Sequence, residues 1–412
     1  MPSIVPARSR SRRGAIGLNR AVNTAGISSG RDADRFTWQR IRPVLVDVSV
    51  VFLLSRLLFY CAAVLAPHVV PAYAGSGYEP WHTGASDLID VSWRWDSAWY
   101  GDIMRQGYDD GHSVAFFPLY PLLVRGLLVV LPDGWLYILG VLVNQVLFAG
   151  GLVLVWLYAN SLGGAAIARR AIVWLSLFPT SFFFSATYSE SLFLLLGAGT
   201  LLLLQRGRFG AAGLAGGLAT LTRPTGIILV IPCLVDLIRQ RGSDWRRRLL
   251  PFLLIPMGIA SYMSYLAWRF GDPLRFVHVE GAGWDHAWML PPLALVRAVQ
   301  LSLSGELEGV SALMNGVNTL AAIWTIVAAV LLWRWDQRGA AYVLAGVLLP
   351  LSVGVAGMPT LSIARYVVVL FPIFILLARW TELRWQQAVV ALLFVPAQIL
   401  LTMLFVQWYW VI

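Results

Sequence analysis

The sequence predicts an all-α polytopic membrane protein with about ten to twelve transmembrane helices. Hydrophobic residues make up 58% of its 412 residues, whereas soluble domains contain about 45–50%. Charged residues make up only 13%, roughly half of what soluble domains contain, and the mean hydropathy is +0.70. Apolar runs repeat along the chain with arginines between them. Together these observations exclude an ordinary soluble globular protein.

The basic residues follow a pattern that indicates membrane topology. The formal net charge is +10, and arginine supplies all 31 basic residues because the chain contains no lysine. A nucleic-acid-binding protein would collect its arginines on one face. Here they lie between apolar runs, as the positive-inside rule describes for cytoplasmic loops. We therefore expect no nucleic-acid partner.

The first 42 residues differ in composition from the rest of the chain. They are rich in arginine, serine and glycine and have no apolar periodicity, which predicts a disordered basic arm that can touch anionic lipid. The first membrane span follows at about Val44 to Ala66. We expect a cytoplasmic arm (1–42) and a membrane domain (43–412).

A long polar loop, residues 67–114, follows the first span. It holds seven acidic residues and two arginines, so the positive-inside rule puts it outside when the arginine-rich arm is inside. A second external loop is predicted over residues 271–316. The other apolar runs are 115–131, 135–158, 170–186, 190–205, 210–222, 225–238, 249–268, 317–333, 340–357, 361–378 and 386–410.

The alternation of sides is ambiguous over residues 115–170. Arg169 and Arg170 should be cytoplasmic, but two full spans at 115–131 and 135–158 would leave them outside. Either 135–164 makes two short passes, or one segment is a partial or re-entrant helix.

The first loop contains a Trp-Asp pair, Trp95 and Asp96, at the start of an amphipathic segment. Trp95, Trp99 and Ile103 recur at i, i+4 and i+8, which predicts a helix lying in the membrane interface. Asp96 would then sit where a lipid-linked substrate presents its headgroup, as a catalytic residue. The alternative is that Asp96 only caps the helix, since aspartate is a preferred N-cap.

A turn with three polar side chains ends the same loop. Asp109, Asp110 and His112 precede the segment Ala115 to Pro121. Carboxylates beside a histidine can bind a metal ion or a phosphate-bound cation. The alternative is a solvated turn, and the sequence does not require a metal.

Three charged residues stand close to the ends of apolar runs. Glu190 is the only acid in a long apolar region, and a buried carboxylate needs a partner or a cavity. Arg223 and Arg365 have a planar fork that matches phosphate oxygens. They are either such phosphate ligands or markers of cytoplasmic loops, and the helix count from Arg206 favours the external, phosphate-binding interpretation.

The chain lacks the motifs that would indicate a nucleotide or zinc enzyme. It has no phosphate loop of the GxxxxGK type, no dinucleotide fingerprint and no HExxH. If the protein is a transferase, its donor is therefore not expected to be a nucleotide sugar.

Taken in order, these blocks resemble the PIG-V family of mannosyltransferases in the GT-C superfamily of polytopic glycosyltransferases. The blocks are Arg94-Trp95-Asp96 with Gly107-Tyr108, His112 with Ala115-Phe116-Phe117-Pro118, Phe178-Pro179 with Tyr188-Ser189-Glu190-Ser191-Leu192-Phe193, Thr222-Arg223-Pro224, and Arg365-Tyr366 with Phe371-Pro372. Each block alone is weak, but the ordered set is specific.

The resemblance implies a GT-C bundle whose long first extracytoplasmic loop carries amphipathic helices. It implies transfer of a hexose, expected to be mannose, from a polyprenyl-phosphate carrier to a hydroxyl of a lipid, glycan or protein acceptor, with inversion in a single displacement. Asp96 would be the catalytic base. The residues expected to bind the donor phosphate or the acceptor are Arg94, Trp95, His112, Glu190, Arg223, Arg365 and Tyr366. A divalent metal at Asp109 and Asp110 stays open.

The expected location is a bacterial plasma membrane, with the N-terminus cytoplasmic and the active site outside. The alternative class is a transporter or lipid flippase, which would explain the hydrophobicity and the short helices. It would not explain a long acidic first loop with a tryptophan-rich amphipathic helix.

Overall fold

The architecture comes from a computed structural model that describes residues 38–74, 82–109, 111–239, 245–355 and 357–411. Contacts divide the chain into two units, Met1–Arg42 and Pro43–Ile412, and the second unit holds the membrane domain. The predicted N-terminal arm lies outside the described residues up to residue 37.

The described chain is built from helices and one short pair of strands. The helices are α1 (Trp38–Val69), α2 (Asp87–Asp90), α3 (Ser97–Gln106), α4 (Leu119–Leu128), α5 (Leu136–Gly163), α6 (Ala165–Leu177), α7 (Glu190–Gln205), α8 (Phe209–Thr222), α9 (Val230–Arg239), α10 (Trp245–Leu249), α11 (Leu254–Phe270), α12 (Arg275–Trp284), α13 (Pro291–Ser304), α14 (Gly309–Leu332), α15 (Gln337–Leu351), α16 (Ile363–Val367), α17 (Pro372–Trp380) and α18 (Arg384–Val406). Strand β1 (His286–Trp288) pairs antiparallel with β2 (Val353–Val355).

Five helical segments are long and apolar enough to cross a membrane. They are Arg42–Val69, Leu136–Gly163, Leu250–Phe270, Gly309–Leu332 and Arg384–Val406. Shorter apolar helices, such as α7 and α8, occupy other runs that the sequence predicted as spans. The all-α membrane fold is confirmed, and several of its apolar segments are shorter than the roughly 20 residues of a full span.

The ambiguity over residues 115–170 has a structural answer. Helix α5 runs unbroken for 28 residues, so the alternative of two short passes is wrong. Helix α4 has 10 residues, which at about 1.5 Å per residue extend about 15 Å, half of a roughly 30 Å hydrocarbon core. The partial segment that the alternation of sides requires is therefore α4.

Helix α3 is amphipathic, as predicted, but its apolar face packs inside the protein. Trp95 and Ile103 belong to a buried cluster and expose 8% and 1% of their surface. The prediction that this face lies in the membrane interface is thus wrong for these two residues, because neighbouring helices cover them. The helix ends at Gly107, whose φ of +85° suits a residue without a Cβ.

Helices α8 and α11 approach very closely, which fixes the end of α8. A Cβ added at Gly217 would lie 2.5 Å from the Leu254 carbonyl oxygen, and one at Gly258 would lie 2.2 Å from the Gly217 carbonyl oxygen. Small residues permit this backbone contact between membrane helices. The contact holds Arg223, the residue directly after α8, in a defined place.

Candidate active site

Four charged side chains from distant parts of the chain form one continuous ionic cluster. Arg365 Nη1 donates to Asp96 Oδ2 over 2.6 Å, while Arg365 Nε donates to Glu190 Oε1. Arg223 Nη1 also donates to Glu190 Oε1. We call Asp96, Glu190, Arg223 and Arg365 the active-site cluster. The sequence predicted all four as site residues, and the structure brings them together.

Three of the four members of the cluster lie at helix ends. Asp96 directly precedes α3 and Glu190 begins α7, whereas Arg223 follows α8 and Arg365 lies within the short helix α16. Helix ends leave backbone groups unpaired and turn the chain sharply. Charged side chains can therefore converge there without interrupting a helix interior.

The backbone around Asp96 is held in an unusual conformation. Trp95 has a φ of +53°, a left-handed value that is uncommon for a bulky residue. The Asp96 amide donates to the Tyr188 hydroxyl oxygen over 3.1 Å, and that hydroxyl donates to the Arg94 carbonyl over 3.1 Å. Strain of this kind persists where the surroundings over-determine it, and it clusters at active sites.

The carboxylate of Asp96 does not serve the helix that it precedes. It makes no capping hydrogen bond to the described residues of α3, and it faces Arg365 instead. The interpretation of Asp96 as a mere N-cap side chain is therefore wrong.

A cavity opens beside the cluster, which we call the basic chamber. Asp96, Arg223, Arg365 and Tyr366 line it, and the Arg223 guanidinium lies 5.2 Å from the centre of the Tyr366 ring. Its other lining residues are Tyr100, Ala115, Phe116, Phe117, Thr222, Pro224, Thr225, Glu280, His286, Leu361, Ser362 and Trp410. Two forked cations in the wall of one pocket are suited to an anionic group such as a phosphate.

Glu190 lies behind the two arginines and not in the cavity wall. It is fully buried and does not line the basic chamber. Its carboxylate accepts from both guanidinium groups, which fixes their orientation toward the cavity. Its location suits a residue that positions the two arginines, and direct contact of Glu190 with substrate stays a prediction.

The basic chamber contains a carboxylate that the sequence did not single out. Glu280 of α12 lines it, and burial raises the Glu280 pKa to about 7, against the opposing effect of Arg223. His286 lines the same chamber, and burial lowers its pKa. The only signal in the sequence was the position of both residues in the second predicted external loop.

A second cavity, the aromatic chamber, adjoins the first. Its lining consists of Trp95, Asp96, Ala98, Trp99, Asp102, His112, Gly283 and Trp410. Asp96 and Trp410 line both chambers. The Trp95 and Trp410 rings meet edge to face at 4.8 Å, and the Trp99 and His112 ring centres lie 5.7 Å apart. Trp95 and His112, both predicted site residues, thus belong to this chamber.

Arg94 was predicted to bind substrate; it lines a separate cavity with Asp90 and Trp408, and its part in substrate binding stays a prediction. Its Nε donates to the Val406 carbonyl over 3.0 Å, its Nη1 donates to the Asp90 carbonyl, and its guanidinium lies 4.9 Å from the Trp408 ring centre. Arg94 lines neither chamber. It ties the first loop to the end of α18, because carbonyl groups there satisfy its donors.

Of the two predicted metal residues, Asp109 is described by the structure and lines neither chamber. Asp109 closes its own turn by accepting hydrogen bonds from the Ser113 hydroxyl and the Gly111 amide, and Asp110 lies outside the described residues. Within the part of the chain that the structure describes, no group of three or more metal-ligating side chains is found. A metal at Asp109 stays a prediction.

Comparison with known proteins agrees with the resemblance found in the motifs. Residues 45–239 match the family model described as "Mannosyltransferase (PIG-V)". The chain is 30% identical over 196 residues to GPI alpha-1,6-mannosyltransferase 2 of Cricetulus griseus. The aligned part makes up 42% of this chain and 39% of that protein. The Mus musculus protein of that name is 33% identical over 147 residues, covering 33% and 29%. The matched part is thus about two fifths of those relatives or less.

The structural likeness extends over more of the chain. The crystal structure of ArnT from Cupriavidus metallidurans bound to undecaprenyl phosphate has a TM-score of 0.50 and 14% identity, covering 85% of this chain and 62% of that one. The GT-C membrane fold predicted from the resemblance is confirmed. With its long apolar helices, the chain is an integral membrane protein.

Proposed function

We propose that this PIG-V-like membrane protein of the GT-C fold transfers mannose from a polyprenyl-phosphate carrier to an acceptor hydroxyl. The observation that carries the proposal is the basic chamber, where Asp96 and two cationic forks line one cavity. A transferase of this kind needs a base for the acceptor and cations for a departing phosphate.

The donor phosphate is proposed to bind between Arg223 and Arg365. Both guanidinium groups are fixed by Glu190, and preorganised cations stabilise developing charge without reorganising during the reaction. A polyprenyl-phosphate donor is in keeping with the ArnT structure, which is described with undecaprenyl phosphate bound.

The proposed reaction is one displacement at the anomeric carbon. Asp96 accepts the proton of the acceptor hydroxyl while the hydroxyl oxygen forms its bond to that carbon. The bond between the carbon and the phosphate oxygen breaks from the opposite face, which inverts the configuration. The bonding electrons leave with the phosphate, whose growing negative charge Arg223 and Arg365 neutralise.

The pairing of Asp96 with Arg365 suggests how donor binding prepares the base. In this pairing Asp96 Oδ2 accepts from the Arg365 guanidinium and not from an acceptor hydroxyl. Phosphate oxygens match the same guanidinium fork, so the donor competes with Asp96 for Arg365 Nη1. Donor binding would thus release the carboxylate toward the acceptor.

The chain fold also supports an extracytoplasmic site. If α4 does not cross the membrane, α5 leads from the first loop to Arg169 and Arg170 on the cytoplasmic side. The alternation then puts Arg206 on the cytoplasmic side and Arg223 outside, in keeping with the positive-inside rule. We propose this topology, with Asp96 facing the extracytoplasmic space.

The test is mannose transfer in membranes that contain the protein, with radiolabelled polyprenyl-phosphate-mannose as donor. Asp96→Asn should fold and insert normally but transfer about 10²–10⁴-fold more slowly, because the base is lost. Asp87→Asn is the matched control, since Asp87 lies in the same loop and lines neither chamber. Near-normal transfer by Asp96→Asn would contradict the proposal that Asp96 is the catalytic base.

A further inference from the structure

Helix α13 presents an exposed apolar stripe on a segment that the sequence predicted to be an external loop. Val296, Val299 and Leu303 recur at i, i+3 and i+7 on one face of the helix and expose 54%, 38% and 82% of their surface. We propose that α13 lies in the membrane interface, with these three residues, the α13 stripe, against the acyl chains of the bilayer lipid. The proposal rests on α14 crossing the membrane and is independent of the proposed function.

The opposite side of α13 attaches the helix to the protein. The face made by Ala294, Ala298 and Leu301 is buried. The Asn315 side chain of α14 donates to the Ala298 carbonyl over 2.9 Å and to the Ser302 hydroxyl oxygen over 2.8 Å. Because Asn315 is fully buried, these two hydrogen bonds fix the height of α13 along α14.

The height of Asn315 puts α13 at the edge of the hydrocarbon core. Helix α14 is long and apolar enough to cross a membrane, and its exposed large apolar side chains run from Leu313 to Leu331. This separation is about 27 Å at about 1.5 Å per residue, close to the roughly 30 Å of a hydrocarbon core. Asn315 lies inside this range, half a turn from its edge. Helix α13 is therefore at the level where acyl chains meet headgroups.

The polar residues of α13 are arranged as an interfacial position requires. Arg297, Gln300 and Ser304 also recur at i, i+3 and i+7 and are exposed. At 3.6 residues per turn this polar stripe lies about 100° around the helix axis from the α13 stripe. A helix in the plane of a bilayer shows this division, with its apolar face buried about 5–10 Å into the boundary between headgroups and acyl chains. The polar stripe then faces the headgroups and water.

The length of α13 and the residues before it also agree with an interfacial helix. With 14 residues, α13 extends about 21 Å, which is too short to cross a roughly 30 Å core. Trp288 and Leu290 directly precede the helix and are exposed, and tryptophan is enriched where membrane and water meet. Helix α13 therefore lies along the membrane surface.

The test measures spin-label accessibility in the full-length protein in lipid nanodiscs. Cys61, the exposed cysteine, is replaced by alanine, while Cys233 is buried and is kept. A nitroxide attached at Leu303→Cys should collide more with oxygen, which concentrates in the bilayer, than with a water-soluble nickel chelate. At Ser304→Cys the order should reverse. The ratio of the two collision rates should differ at least about fivefold between these neighbouring positions.

Control variants in the chain decide among the possible outcomes. Leu320→Cys on α14 is the lipid control, because Leu320 is exposed within the apolar range of that helix. Val299→Cys and Gln300→Cys repeat the comparison one turn earlier, so the result does not depend on the folding of one variant. Nickel-accessible labels on the α13 stripe would put it in water and overturn the proposal. Labels shielded from both reagents, with dipolar broadening between them, would overturn it in favour of a second copy of the chain.

This measurement is separate from the tests of catalysis. Collision ratios report the depth of a label and depend neither on turnover nor on which leaflet holds the helix. A failure of the proposed mannosyl transfer, or of the proposed topology, would therefore leave the expected contrast between Leu303 and Ser304 unchanged.

Discussion

Two buried ionic clusters can be compared in the part of the chain that the structure describes, and one of them lines the basic chamber. The first is the active-site cluster. The second, which we call the α15 cluster, consists of Tyr158, Asp236, Asp336 and Arg338. Its members line neither the basic nor the aromatic chamber. Buried charge in a membrane protein is expected to be functional by default. We use the presence of a cavity beside each cluster to separate a functional role from a structural one.

The members of the α15 cluster pair with one another. The Asp336 carboxylate accepts from the Tyr158 hydroxyl at 2.9 and 3.0 Å and from the Gly339 amide at 3.0 Å, which caps α15. Arg338 Nε donates to Asp236 over 2.6 Å. These contacts link α5, α9 and α15. We therefore assign the α15 cluster to structure and the active-site cluster to chemistry.

The largest expected difference between the clusters is in catalysis. Arg365→Gln should lower the kcat/KM for the donor about 10²–10³-fold, because one preorganised donor to the leaving phosphate is lost. Glu190 keeps Arg223 as its partner in this variant, so the fold should persist. The measurement is donor turnover together with the thermal unfolding midpoint in detergent.

The comparison would fail if Arg365→Gln mainly unfolded the protein. A large fall in the unfolding midpoint, with normal turnover in the remaining folded fraction, would make the active-site cluster structural as well. Arg297→Gln is a suitable control, because Arg297 forms an exposed pair with Glu306, and exposed pairs contribute little.

The converse substitution is in the α15 cluster. Arg338→Gln should lower the free energy of unfolding by about 1–3 kcal/mol, because it removes a cation that pairs with the buried Asp236 carboxylate. Turnover per folded molecule should not change. Chemical or thermal unfolding of the purified protein measures the first quantity, and turnover normalised to folded protein measures the second.

A double variant sharpens this prediction. Asp236→Asn combined with Arg338→Gln removes both charges of the pair, so it should recover much of the stability that the single variant loses. If the single and double variants are equally unstable, the pair contributes through packing and not through charge.

The sequence predicted Asp96, Arg223, Arg365 and Tyr366 because they stand in short polar blocks beside apolar runs. Arg94 stands in the same kind of block, yet its partner is the carbonyl of Val406, 312 residues away. No local pattern can reveal such a contact. Hydropathy likewise counted residues 115–131 as one apolar run, although the helix occupies only Leu119–Leu128.

Glu280 and Trp410 were missed for the same physical reason. Neither belongs to a motif, and each reaches a chamber only because α12 or the segment after α18 packs against the first loop. Convergence of this kind depends on tertiary packing between elements far apart in the chain. The aromatic chamber, which joins residues 95 to 410, could therefore not be derived from sequence patterns.

The smallest expected effect concerns the charge balance of the basic chamber. Arg223 and Arg365 offset Asp96 and Glu190, so the protonation of Glu280 decides whether the surroundings of the donor phosphate are neutral or negative. His286, whose pKa burial lowers, and the tyrosines Tyr100 and Tyr366 also line this chamber. A neutral histidine there leaves Glu280 as the group that changes charge.

Glu280 should therefore give donor binding a pH dependence near neutrality. Because burial raises its pKa to about 7, Glu280 is neutral below that pH and negative above it, where it repels a phosphate. The donor KM of the wild type should rise several-fold between about pH 6 and 8. Glu280→Gln stays neutral and should keep the low KM throughout, whereas the control Glu306→Gln should behave like the wild type.

The same group also links stability to pH. A carboxyl whose pKa is higher in the folded than in the unfolded protein binds more protons when folded. Its stabilising contribution to the free energy of unfolding is therefore fully present below about pH 4.5 and is lost as the pH rises to about 7. Glu280→Gln should remove that decline from the unfolding midpoint measured across this range. If the variant keeps both the decline and the rise in donor KM, another group titrates, and the charge balance of the basic chamber does not depend on Glu280.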